Sequence, residues 1–178
     1  MRFFENLTIA RVVLALAIVL SLVLSGGNAL LGRRGELEAS FSAPAESISA
    51  EVREMRSNAA SLLGIAQAYE AANAEYTAAL NDAIAALDAA QDASQMYDAS
   101  LLLDSAVESC YSDLSRIELS EVDVEDVRYV YKNFTSAQLR ISHDEYNLKA
   151  AEFNAELSAF PASLLAMVRG IRPLSLFQ

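Results

Sequence analysis

The chain has 178 residues, enough for one domain with a hydrophobic core, and 13 Lys and Arg side chains against 24 Asp and Glu give a net charge of −11. A chain this acidic lacks the broad basic face that counterion release requires, which argues against nucleic acid or an anionic lipid surface as its main binding partner. A single cysteine, Cys110, excludes an intramolecular disulfide, and its apolar neighbours predict a buried thiol.

An almost unbroken apolar run occupies residues 12–24, and small and apolar residues extend it to Leu31. The extended run of about twenty residues is long enough to cross the hydrocarbon core of a bilayer. Arg11 stands at one end and Arg33 and Arg34 follow the other, as at two membrane interfaces. We therefore predict a short N-terminal segment at 1–11 and a transmembrane anchor at 12–31. The alternative is a signal peptide that is cleaved near Gly27 to Ala29.

Two further properties of the anchor follow from its residues. The basic residues on its two sides nearly balance, so a cell-membrane protein with its bundle on the extracytoplasmic side is favoured only by a narrow margin. Ala17, Ser21 and Ser25 form a row of small residues at four-residue spacing. Such a row lets two membrane helices approach closely, so these three are candidates for packing within the membrane.

Long helices are predicted after the anchor, because the whole chain contains only 6 glycines and 3 prolines. Gly32 and Gly35 indicate a hinge and connector over 32–43. The bundle, 44–161, is predicted to contain three helices, over 44–93, 94–116 and 124–160, the last capped by Ser120. Alternatively, the first of these helices is broken near Asn81–Asp82. No alternating pattern typical of paired strands occurs. The fold class is therefore all-α: an N-terminal transmembrane helix followed by a long antiparallel helical bundle of three to four helices with coiled-coil-like packing.

The last predicted helix carries three dipeptides at seven-residue intervals: Tyr146-Asn147, Phe153-Asn154 and Phe160-Pro161. Seven residues are two helical turns, so the aromatic side chains fall on one stripe and are expected to form a core seam. Asparagine is disfavoured inside helices unless its amide finds a partner. Either the two asparagines fix the register of the helices, or they line a groove that holds the backbone of a partner. These six residues are the structural or interaction candidates.

This ladder, on a long final helix behind an N-terminal membrane helix, resembles the LemA family of bacteria. The resemblance is strongest over Tyr146 to Leu165. The chain departs from the family pattern at His143-Asp144-Glu145, where the family tends to be basic, and in having no tryptophan. The resemblance implies a membrane-anchored helical bundle of the cell envelope, and it implies architecture rather than a particular chemistry.

Residues for catalysis do not converge in the sequence. The only histidine, His143, and the only cysteine cannot build a metal site of the usual kinds, and no phosphate-binding glycine loop is present. We therefore predict that the chain is not an enzyme and has no catalytic, cofactor-binding or metal site.

The final stretch, 162–178, is an apolar tail that is expected to lie at the distal tip and cap the open end of the bundle. The alternatives are a docking peptide for another envelope protein and a helix on a lipid surface. The predicted function is that of a single-pass, membrane-anchored interaction or scaffold protein, whose partners are other envelope proteins or a second copy. The alternatives are a ligand-sensing bundle and a secreted helical protein.

Overall fold

The computed structural model describes residues 7–42, 47–69 and 71–178. In these ranges all regular structure is helical and no β-strand occurs, which confirms the all-α prediction. The helices are α1 (Leu7–Ser42), α2 (Ile48–Gln67), α3 (Ala74–Ala89), α4 (Ala93–Leu114), α5 (Glu121–Ser142), α6 (Tyr146–Ser158) and α7 (Ala162–Arg169). They divide between two compact units: α1 up to Glu38 with Lys149–Leu174, and Ala39–Leu148 with Ser175–Gln178.

The first unit is built on α1, which by length and composition is able to cross a membrane. Its most apolar 18-residue window has a mean hydropathy of 2.4, and none of that window is buried. The exposed side chains are large and aliphatic; Leu14, Leu16 and Leu20, for example, are 62%, 63% and 59% exposed. The predicted anchor is therefore present as a helix with the properties of a membrane span.

The hinge predicted at Gly32 and Gly35 is absent, because α1 runs without interruption through both glycines and through the predicted connector as far as Ser42. A glycine inside a helix lowers the stability of that helix by about 1 kcal/mol relative to alanine, which disfavours the helix but does not interrupt it. Leu30 and Leu37, two turns apart, are both buried. Burial of these two leucine side chains stabilises α1 both before Gly32 and after Gly35.

The second unit is a bundle in which α2 pairs with α5 and α3 pairs with α4, while α2 also contacts α3 and α4. Each of its helices begins at a polar residue whose side chain accepts a backbone N–H of the first turn. The capping residues are Ser47, Asn73, Asp92 and Ser120. Ser120 thus caps α5 as predicted, and α4 matches the predicted second helix to within two residues at each end.

The predicted helix over 44–93 is two helices, and the break lies between Gln67 and Ala74 and not at Asn81–Asp82. Asn73 caps α3, and its own N–H donates to the carboxylate of Asp113 at 2.7 Å. The acceptor therefore comes from another helix of the bundle, which fixes the break at a place that local sequence does not mark. The helix start expected at Pro44 lies outside the described residues.

The predicted helix over 124–160 is also divided, into α5 and α6. His143 is the C-cap of α5, and its ring Nδ1 lies 2.8 Å from the carbonyl oxygen of Leu139. Asp144 Oδ1 accepts the N–H of Tyr146 at 2.7 Å and so starts α6. The acidic stretch that departs from the LemA pattern is the turn between these two helices.

The carboxylate of Glu51 is buried in the second unit, with its side chain 6% exposed. Arg140 Nε donates to Glu51 Oε2 at 2.8 Å, and Nη2 of the same side chain donates to Glu54 at 2.8 Å. The hydrogen bond to Glu51, more than any other interaction, raises the pKa of Arg140. The pair joins α2 to α5 by a charge-assisted contact that compensates the buried charge.

Candidate interaction site on helix α6

Helix α6 carries the first four residues of the ladder. Tyr146 and Phe153 are buried, at 5% and 0% exposure, whereas Asn147 and Asn154 are half-buried. Each asparagine lies one position after a buried aromatic residue. Both amides are therefore turned to the edge of the buried stripe, where they meet the backbone of the segment that follows α7.

In the first unit, Asn154 holds the backbone of Leu174 with two hydrogen bonds. The N–H of Leu174 donates to Asn154 Oδ1 at 2.8 Å, and Asn154 Nδ2 donates to the carbonyl oxygen of Leu174 at 2.9 Å. A primary amide has a donor and an acceptor side by side, so it can satisfy both polar groups of one extended residue. We call this arrangement an asparagine clamp.

In the second unit, Asn147 forms the same clamp on Phe177. The N–H of Phe177 donates to Asn147 Oδ1 at 2.8 Å, and Asn147 Nδ2 donates to the carbonyl oxygen of Phe177 at 2.6 Å. The hydroxyl of Tyr146 adds a third bond by donating to the carbonyl oxygen of Ser175 at 2.7 Å. The Oγ of Ser175 in turn accepts the N–H of Ser94 at 3.3 Å.

The clamped segment has no helix or strand of its own, and its side chains are buried at every third position. Ile171, Leu174 and Phe177 are 8%, 6% and 5% exposed. In the second unit the ring of Phe177 lies edge-on to that of Tyr97, with centroids 5.3 Å apart, and 6.4 Å from that of Phe41. The asparagine clamps bind the backbone of this segment, and its apolar side chains are buried. These two kinds of contact hold the segment in place although it forms no strand.

This arrangement bears on the two hypotheses for the asparagines. Their amides bind neither each other nor another helix. They hold a stretch of backbone, as the groove hypothesis expected of a partner, but the backbone belongs to this chain. The low helix preference of asparagine indicated that both amides need partners, and the structure places those partners 20 and 30 residues further along the chain.

The third dipeptide departs from the predicted seam. Helix α6 ends at Ser158, and Phe160 is 84% exposed, so it does not continue the buried stripe of Tyr146 and Phe153. Proline at position 161 has no N–H to donate to the preceding turn, which favours the end of the helix before it. The Phe160–Pro161 peptide bond is cis, and Pro161 immediately precedes α7.

The predicted position of the apolar tail at the distal tip is wrong, because α7 packs against α1 within the first unit. A Cβ atom on Gly26 would lie 2.7 Å from Leu165 Cδ1, and one on Gly27 would lie 2.7 Å from Arg169 Cγ. The two glycines therefore allow α7 to approach the backbone of α1 closely. Sequence analysis had placed them only in the membrane run and at a cleavage point.

The row of Ala17, Ser21 and Ser25 is exposed along α1. A second membrane helix would therefore meet no other part of the described chain on this row. Its role in helix packing stays a prediction.

Reactive chemistry is sparse in the described part of the chain. Cys110 is buried, and this burial, with a smaller contribution from Asp113, raises the pKa of its thiol to about 11. The thiol is therefore neutral at physiological pH and a poor nucleophile. Among the residues that the structure describes, no group of three or more His, Cys, Asp or Glu side chains is placed to hold a metal ion. That the chain is not an enzyme stays a prediction.

Searches of protein-family models, curated proteins and solved structures find no match to this chain. The likeness to the LemA family therefore rests on the ladder and on the membrane helix alone.

Proposed function

We propose that the protein is a single-pass membrane protein of the bacterial cell envelope, related to LemA, whose helical bundle is an interaction or scaffold module. In this proposal α1 holds the chain in the cell membrane. The second unit then presents its surface to other envelope proteins or to a second copy. We place the bundle on the extracytoplasmic side; two arginines flank the span on each side, so the cysteine labelling described below decides this assignment.

The observation that carries the proposal is the exposure of the apolar part of α1. Its most apolar window is wholly unburied, so in water it would present a long aliphatic surface that no other part of the described chain covers. Exposed apolar area costs about 25 cal/mol per Å², and a bilayer removes that cost while the helix satisfies its own backbone hydrogen bonds. A membrane is therefore the environment that best fits this helix.

Retention of the anchor is supported by the packing of the first unit. Cleavage near Gly27 to Ala29 would remove the part of α1 against which Leu165 and Arg169 pack. Cleavage after Asn28 or Ala29 would also remove Asn28, whose side-chain oxygen accepts a hydrogen bond from Arg169. A cleaved signal peptide usually contributes nothing to the mature fold, whereas this segment contributes contacts on both sides of the cleavage point.

The charge and the exposed apolar side chains of the second unit favour a role in protein interaction over a role in catalysis. Six basic and nineteen acidic side chains fall within its bounds, and large apolar residues such as Leu102, Val122 and Tyr129 are 59%, 69% and 66% exposed. Acidic surface with isolated apolar side chains suits contact with protein surfaces and disfavours polyanions.

Site-specific photocrosslinking in native membranes tests the proposed module. A photoreactive phenylalanine analogue is placed, one position at a time, at Leu102, Val122, Tyr129 and Leu139, all exposed on the second unit. The matched control carries it at Phe134, which is buried. We expect one envelope protein, or a second copy, to be captured from at least two neighbouring positions and not from Phe134. If no position gives a specific adduct although the chain is in the membrane, the interaction module is refuted.

Sidedness is tested with one added cysteine, because Cys110 is buried and its thiol is neutral. Val122→Cys places a thiol at an exposed position of α5. A membrane-impermeant maleimide added to intact cells should label this variant and leave the parent chain unlabelled. Labelling only after the cells are opened would place the bundle in the cytoplasm.

A further inference from the structure

A second exposed apolar surface lies on and beside α7. Phe160, Leu164, Met167 and Val168 are 84%, 46%, 74% and 58% exposed. Leu164, Met167 and Val168 are spaced by three and one residues, so they share one face of the helix, and Phe160 precedes that face by about one turn. We call these four residues the α7 apolar face.

The opposite face of α7 is packed. Ala162 and Ala166 are buried, and Leu165 and Arg169 lie against Gly26 and Gly27 of α1. The apolar face is therefore not a core face that has lost a partner within the first unit. The α7 apolar face is exposed, whereas the opposite side of α7 is already covered by α1.

Contacts along α1 give the level of α7 relative to the membrane span. Before α7, Glu156 pairs with Arg33, and after α7, the carbonyl oxygen of Arg172 accepts a hydrogen bond from Arg34 Nε at 3.1 Å. Between these points α7 contacts α1 at Gly26 and Gly27. Seven residues of helix separate Gly26 from Arg33, which is about 10 Å. The chain therefore turns around at α7, about 10 Å closer to the apolar run than the segments on either side.

Charge in the first unit also differs from that of the whole chain. Within its bounds the sequence has seven basic and five acidic side chains, against six and nineteen in the second unit. Four of the seven are Arg33, Arg34, Arg169 and Arg172, which the contacts above bring together around the turn at α7. Arg33 and Arg34 also form ion pairs, with Glu156 and Glu38 respectively. Arginine at the end of a membrane helix is well suited to phosphate groups, and its aliphatic stem packs on apolar surface.

We propose that the α7 apolar face lies in the boundary between head groups and acyl chains of the bilayer that α1 crosses. In this arrangement the occupant of the face is phospholipid. The chain then holds the membrane at two places, through a span and through an interfacial helix packed against the end of that span. The inference rests on the proposed function, because it takes the level of the bilayer from α1. Net charge of the whole chain argued against an anionic lipid surface, whereas residues 33–38 and 149–174, on the α7 side of the span, have five basic and four acidic side chains.

Tryptophan fluorescence tests the depth of the face, because the chain has no tryptophan of its own. Single substitutions Leu16→Trp, Met167→Trp and Glu36→Trp are made in the full-length protein. Each variant is reconstituted in phosphatidylcholine vesicles whose acyl chains carry bromine close to the head groups. Leu16 reports the span, Met167 reports the α7 apolar face, and Glu36 is an exposed position of α1 about 15 Å beyond Gly26.

We expect bromolipid to lower the emission of Met167→Trp roughly twofold or more and to leave that of Glu36→Trp almost unchanged. Leu16→Trp should be quenched more strongly by lipids brominated deeper in the chains. Phe160→Trp provides a second probe of the same face and should behave like Met167→Trp.

Each of the other possible results contradicts one part of this account: the interfacial helix, the membrane span or the lipid that covers the face. Quenching of Leu16→Trp without quenching of Met167→Trp or Phe160→Trp would refute the interfacial helix and leave the span intact. If Leu16→Trp is also unquenched, both by lipids brominated near the head groups and by lipids brominated deeper in the chains, the membrane span itself is refuted. Blue-shifted emission from Met167→Trp that bromolipid does not quench would show that protein covers the face instead of lipid.

Discussion

Replacing an asparagine of a clamp by leucine should release the backbone that it holds. Leucine is close to asparagine in size, so Asn154→Leu and Asn147→Leu remove the polar group without opening a large cavity. Each substitution abolishes two hydrogen bonds and leaves an N–H and a carbonyl group of Leu174 or Phe177 without their partner. A hydrogen bond contributes about 0.5–1.5 kcal/mol net, so each clamp should contribute about 1–3 kcal/mol to holding its residue in place.

Hydrogen exchange at single amides measures this loss where it occurs. In the parent chain, the N–H groups of Leu174 and Phe177 donate to the clamps and should exchange slowly. A loss of about 1–3 kcal/mol corresponds to exchange that is roughly 5- to 150-fold faster. Asn154→Leu should accelerate the amide of Leu174 most, and Asn147→Leu should accelerate that of Phe177 most.

Asn58→Leu is the matched control, because Asn58 is also half-buried but its side chain donates only to the carbonyl oxygen of Glu54 in its own helix, at 2.8 Å. This variant should change exchange at Leu174 and Phe177 by less than about twofold. If both clamp variants exchange at the parental rate, the segment is held by its apolar side chains alone, and the assignment of the asparagines as clamps is refuted.

Three further substitutions or reagents test the packing of the two units. Arg140→Leu should lower the free energy of unfolding by about 1–3 kcal/mol in urea titrations, because it leaves the buried Glu51 carboxylate without its cation, and adding Glu51→Gln should restore part of that loss. Cys110, with its pKa raised to about 11, should resist iodoacetamide at pH 8 in the folded protein and react once urea unfolds it; equal rates in both states would contradict its burial. Gly27→Leu should displace α7 and accelerate amide exchange there, since a Cβ would lie 2.7 Å from a side-chain carbon of that helix, whereas Gly32→Ala meets nothing within 4 Å and should be neutral or slightly stabilising.

Sequence patterns predicted those features of the fold whose causes are local. The apolar run at 12–31 lies in a helix able to cross a membrane, and the Ser120 cap starts α5 where its hydroxyl and the acidic first turn indicated. Both features are determined by residues within a few positions of one another. The all-α class follows from the same local preferences, because little glycine or proline interrupts them.

Features fixed by distant residues were not predicted. The break between α2 and α3 depends on Asp113, a residue of α4 that binds the backbone of Asn73. The close approach of α7 to Gly26 and Gly27 depends on residues some 140 positions away, so the glycines could not be distinguished from ordinary small residues of a membrane run.

The candidate site was predicted in part. The seven-residue spacing identified Tyr146, Asn147, Phe153 and Asn154 as unusual, and in each unit the structure pairs one of the asparagines with a residue that follows α7. The spacing also suggested that Phe160 belongs to the same seam. It does not, because a periodic pattern gives no warning when the helix ends, and here α6 stops two residues before Phe160.

Membrane retention of the intact chain tests the central claim most directly. Membranes from cells that produce the full-length protein are washed with alkaline carbonate, and the mass of the chain in the pellet and in the supernatant is determined. The account predicts a chain in the pellet that still carries residues 12–31 and is released only by detergent. A chain in the supernatant that begins near Gly27 to Ala29 would contradict it and would identify a secreted helical protein.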